Sequence, residues 1–66
     1  MKFTDKMKLH RRAKGWTQFD MAEKMGLQQT IISSWEVGRR VPTPKNIIKI
    51  AEVLKVDALY LLKEDE

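Results

Sequence analysis

The chain has 66 residues, no cysteine and a net charge of +4, from 13 Lys or Arg against 9 Asp or Glu. That length holds one domain with a modest core, and the missing cysteines exclude disulfides and thiolate metal sites and suit a reducing compartment. The charge is uneven: residues 1–40 hold nine cations and four acids, residues 41–66 four and five, so the first forty residues are the part drawn to a polyanion.

The N-terminal stretch MKFTDKMKLHRRAK is charged throughout and has no apolar segment of the kind a signal peptide needs. No apolar run approaches the roughly 20 residues of a membrane span. No membrane partner is expected, and the expected location is cytoplasmic.

The hydrophobic period is helical along the whole chain, and punctuation places five short helices. The first is predicted from about Thr4 to Lys14, with Thr4 as N-cap and Gly15 as its stop. Phe3, Met7 and His10 share one of its faces, with Ala13 near the edge. Thr17 caps a second helix over about Gln18 to Met25, which Gly26 ends. Phe19, Ala22 and Met25 are predicted on its buried side, with Met21 beside them. A third covers about Gln29 to Glu36, with Ile32 and Trp35 inward and Gly38 as its stop. The loop RRVPT follows. Thr43 caps the fourth, and Pro44 sits in its first turn, where a missing N–H loses nothing. Its predicted stripe is Ile47, Ile50, Ala51 and Leu54, widened by Ile48. Asp57 caps a short fifth helix carrying Leu59, Tyr60 and Leu62. Trp35 and Trp16 read as core. Residues 63–66, Lys-Glu-Asp-Glu, read as a disordered charged tail behind a domain at 6–62.

The informative spacing joins helices two and three. Ala22 is followed by Gly26, Leu27, Ile32 and Trp35. Two helices that cross steeply over a tight turn need a small residue where their backbones approach. They also need a glycine where the turn takes positive φ, and apolar pins on the second helix. This is a helix-turn-helix pattern, and in it the second helix turns one face outward. That face carries Gln28, Gln29, Thr30, Ser33 and Ser34, with no charge until Arg39 and Arg40. An ordinary solvated face is rich in Glu and Lys. A face meant for base edges needs fixed donors and acceptors, and Gln, Ser and Thr supply them.

The segment WTQFDMAEKMGLQQTIISSWEVGRRVPTPKNIIKIAEVLKV resembles the Cro/repressor-type, XRE-like helix-turn-helix family that includes lambdoid phage repressors. The resemblance covers about Lys6 to Leu62. It rests on Thr17-Gln18, Ala22, Gly26-Leu27, Ile32, Trp35-Glu36, Gly38, Pro42 and the Ile-Ala-x-x-Leu of helix four. It implies an all-α, compact bundle of five short helices that binds a double-stranded DNA operator, usually as a dimer.

Carried onto this chain, the resemblance assigns bases to Gln29, Thr30 and Ser34, with Gln28 and Ser33 at the edge of the patch. It assigns the DNA backbone to Thr17, Gln18, Val37, Arg39 and Arg40. It gives Arg11 and Glu36 an internal ion pair. The chain departs from the family at four places. His10 stands where relatives often carry an apolar residue, and Val37 replaces a common Asn. Ser34 is short where Arg or Gln is frequent, so its base contact is expected through water. Ile31 stands at a usually polar position. A thymine methyl, a dimer contact and simple exposure all remain open for it.

The expected function is therefore a sequence-specific transcriptional regulator, a repressor, acting as a homodimer through Val56, Tyr60, Leu61 and Leu62. The alternative is a protein-binding module on the same fold, such as the antitoxin of a toxin–antitoxin pair. No enzyme signature is present: there is no phosphate-cradling glycine loop, and His10 is the single histidine. No cofactor, metal or small-molecule ligand is expected.

Overall fold

The computed structural model describes residues 1–63. It contains α1 (Phe3–Ala13), α2 (Gln18–Met25), α3 (Gln29–Glu36), α4 (Pro44–Leu54) and α5 (Ala58–Leu62), with no strand among the described residues. Among the described residues no helix is long and apolar enough to cross a membrane. The expected charged tail lies outside the described residues except for Lys63.

Three helix starts follow their sequence signals. The Thr17 side chain accepts from the Asp20 N–H while the Asp20 carboxylate accepts from the Thr17 N–H, a reciprocal capping box. Thr43 accepts from the Asn46 N–H, and Asp57 accepts from the Leu59 N–H. The first helix differs from expectation. It begins at Phe3, with Lys2 in the cap position making no side-chain cap, and Thr4 lies inside the first turn. The ladder already starts with the Lys6 N–H on the Lys2 carbonyl, because Phe3 packs against the core and draws the first turn in.

The core holds Met7, Met21, Ala22, Met25, Ile32, Trp35, Ile47, Ile50, Ala51, Leu54 and Leu61. Trp16 packs at its edge, with the Lys24 ammonium 4.7 Å from the ring centroid. Phe19 was expected inward and is 54% exposed. The inner row of α2 runs Gln18, Met21, Ala22 and Met25, so Phe19, one residue from Gln18, is turned outward by helical geometry. Ile48 is exposed for the same reason, beside the buried row of Ile47, Ile50, Ala51 and Leu54.

On α5 the inward residue is Leu61, while Leu59 is 72% and Leu62 61% exposed. A five-residue helix has no stability of its own. Besides Leu61, it is fixed by Lys6 of α1, whose buried ammonium donates to the Tyr60 carbonyl at 2.6 Å and to the Lys63 carbonyl. A cation at a helix C-terminus also meets the negative end of the dipole. The Tyr60 ring lies 4.5 Å from that ammonium, and its hydroxyl hydrogen-bonds His10 Nε2 at 2.8 Å.

Candidate nucleic-acid interface

The turn between α2 and α3 is built by Ala22 and Gly26. Gly26 adopts φ 70°, ψ 32°, the left-handed conformation that a Cβ penalises. Its N–H bonds the Glu23 carbonyl, and the Leu27 N–H bonds the Ala22 carbonyl at 2.9 Å. Ala22 is buried in the core. Ile32, Trp35 and Glu36 form the inward side of α3, so the opposite side faces solvent.

A buried polar network locks α3 against α1 and α2. Arg11 Nε donates to Glu36 Oε2 at 2.7 Å, and Arg11 Nη2 donates to Glu36 Oε1 at 3.1 Å. Gln18 Nε2 donates to the same Oε1 at 3.0 Å, and Arg11 Nη1 reaches the Trp16 carbonyl at 2.7 Å. Arg11 is 7% and Glu36 2% exposed. Charges taken that far from water are tolerated only when paired and fully hydrogen-bonded, and no buried side-chain nitrogen or oxygen among the described residues lacks a partner.

The outward face of α3 divides into three kinds of residue. Gln28, Gln29 and Thr30 are exposed, and their side chains make no hydrogen bond to the other described residues. Ser33 is half-buried. Ser34 is half-buried too, and its hydroxyl donates to the Thr30 carbonyl at 2.8 Å, which commits its proton to its own helix. Its lone pairs remain free to accept.

The chain after α3 folds back along it. Gly38 takes φ 79°, and the N–H groups of Arg39 and Arg40 both bond the Ser34 carbonyl, at 2.9 and 3.3 Å. The two arginines are thereby held at the C-terminal end of the polar face. Both are exposed, as is Val37. A shallow depression joins Gln28, Thr30, Ile31, Ser34, Arg39 and Arg40. Gln29 does not line it and stands out from the helix start.

At the start of α2, Thr17 is exposed and Gln18 half-buried. The capping box occupies the Thr17 N–H and puts the Asp20 carboxylate at the helix start. Accepting from the Thr17 N–H, then from its hydroxyl side chain, holds that carboxyl below its usual range. Gln18 uses one amide proton on Glu36, leaving the second and the amide oxygen. Sequence reasoning did not place Ile31 in the depression, nor the Lys6 tie to α5. The first depends on where the arginine loop folds, the second on α5 returning to α1.

The sequence model of the helix-turn-helix family matches residues 7–61 of this chain. The chain is similar to the uncharacterized HTH-type transcriptional regulator YqaE of Bacillus subtilis, 38% identical over 61 residues, 92% of this chain and 53% of that protein. It is similar to the cryptic phage CTXphi transcriptional repressor RstR of Vibrio cholerae, 34% identical over 56 residues, 85% and 50% of the two chains. It is also similar to antitoxin HipB of Escherichia coli, 38% identical over 50 residues, 76% and 57%. It spans about half the length of these three relatives.

Proposed function

The chain belongs to the helix-turn-helix family, and from that premise we propose that it is a sequence-specific, double-stranded DNA-binding transcriptional regulator. It is a binding protein of the cytoplasm, and it represses where its operator overlaps a promoter. The observation that carries this reading is the exposed, uncharged face of α3, whose Gln28, Gln29 and Thr30 side chains stay unengaged beside two exposed arginines. An α-helix fits the major groove, and a Gln amide pairs with adenine N6 and N7. Arg39 and Arg40, with Thr17, Gln18 and the Val37 backbone, fix register on the phosphates. Gln29 and Thr30 read bases, Ser34 accepts through water, and Gln28 and Ser33 flank them. The similarity to a phage repressor supports the repressing role.

The regulator acts as a homodimer, since one short helix reads few base pairs and two copies on a palindrome multiply discrimination. Leu61 cannot carry that contact because it is buried, and Tyr60 is engaged by His10 and Lys6. The apolar surface available on α5 is Leu59 and Leu62. Sedimentation with and without operator tests this, and a monomer in both conditions rules it out.

The similarity to an antitoxin favours a second reading, in which the same fold also holds a protein partner. Selection of binding sites from random duplexes tests the DNA-binding reading, which the second reading does not exclude. A DNA regulator returns a consensus with two-fold symmetry, and failure to enrich any sequence defeats the proposal.

A further inference from the structure

Among the six residues lining the depression beside α3, Ile31 alone has a purely hydrocarbon side chain. It is half-buried and packs against the core, so its exposed part is held in place by the fold. Around it stand Gln28, Thr30 and Ser34 and the two arginines of the loop. Helix α3 itself, QTIISSWE, carries no Lys or Arg, the residues that most often read guanine O6 and N7. We infer that Ile31 is a specificity residue that reads the 5-methyl group of a thymine; this rests on the DNA-binding reading above.

The chemistry of the groove selects the partner. In the major groove each base edge shows its own donors and acceptors, and among the four bases thymine alone carries a methyl group. An immobile aliphatic surface set against a donor or acceptor desolvates that group with nothing in return. Against a methyl group it buries hydrocarbon on both sides. A dimer contact at Ile31 is disfavoured by charge: the same depression carries Arg39 and Arg40, which would face their copies across such an interface. Gln29 reads adenine through hydrogen bonds, and Ile31 adds recognition of a thymine methyl to the same half-site.

The test uses the duplex selected by the wild-type protein, with each thymine replaced singly by deoxyuridine. That change removes the methyl and leaves every hydrogen-bonding atom. One thymine per half-site is expected to respond, with affinity falling about fourfold, the order of effect of one buried methyl group. Ile31→Ala, checked for folding by circular dichroism, is expected to bind the thymine and deoxyuridine duplexes equally. Ile31→Val, a milder change to the packing, is expected to lose part of the response. A wild-type protein indifferent to every deoxyuridine overturns the inference while the DNA-binding reading stands. A full fourfold response retained in Ile31→Ala also overturns it, since another side chain then holds the methyl. If no duplex is enriched at all, the DNA-binding reading itself has failed.

Discussion

Arg11 Nε lies 2.7 Å from Glu36 Oε2, joining the first helix to the end of the third through a pair almost closed to water. The residue that ends the outward-facing helix is thus tied to a cation 25 positions earlier. Gln18 donates to the same carboxylate at 3.0 Å, so one acid fixes α3 relative to α1 and α2 together.

Glu36→Ala leaves the Arg11 guanidinium buried without its counter-charge. The expected loss of stability is about 3–5 kcal/mol, most of what a domain of this size has. Urea unfolding of the single and double variants measures it. Arg11→Met with Glu36→Leu is expected to be far less damaged than either partner removed alone, and equal damage in all three would rule out the pairing as the cause.

Gln29→Ala changes an exposed side chain with no hydrogen bond to the described residues, so thermal stability is expected to hold within about 0.5 kcal/mol. Binding to the selected operator is expected to weaken by about 1–3 kcal/mol, with less discrimination at one position. Titration against cognate and scrambled duplexes separates the two effects. An unchanged ratio of the two affinities contradicts the role given to Gln29.

Arg39→Ala is expected to weaken binding to every duplex by a similar factor. A plot of log affinity against log salt should flatten by about 0.9 if one phosphate contact is lost. Arg40→Ala is expected to behave alike. A variant that loses affinity for the cognate site alone would move that arginine from the backbone to a base.

The Asp20 carboxyl titrates below its usual range because the folded capping box favours its charged form. A folded value lower than the unfolded one means that stability is present above the unfolded value and lost as pH falls through the folded one. Asp20→Ala is therefore expected to be less stable than the parent near neutral pH, with the gap closing in acid below the ordinary aspartate range. Melting temperatures from pH 7 down to pH 2 check the sign, and a gap that widens in acid would contradict it. Thr17→Ala, which removes the other half of the box, is expected to lose about 1 kcal/mol.

The sequence by itself determined three of the helix starts and the joint between α2 and α3. Thr17, Thr43 and Asp57 fix three starts by short-range hydrogen bonds, and Gly26 fixes the sharp turn by a local conformational preference. Such signals act within a few residues, so they can be read from the order of residues alone. The uncharged outer face of α3 was legible for the same reason: its composition and its helical spacing are both local.

What tertiary structure decided is which side of an ambiguous helix faces in, and what meets what across the fold. Phe19 reads as core until Gln18 takes the inner position to reach Glu36. Lys6 reads as a surface charge until α5 comes back to it, 54 residues on, and its ammonium meets the Tyr60 carbonyl. Leu61 goes inward while Leu59 and Leu62 stay out, because one short helix touching α1 and α4 can bury only one row. Ile31 acquires a place beside the arginines only because the loop folds back onto Ser34. In each case the partner is distant in the chain, and the choice is settled by the free energy of closing the core, to which no local pattern gives access.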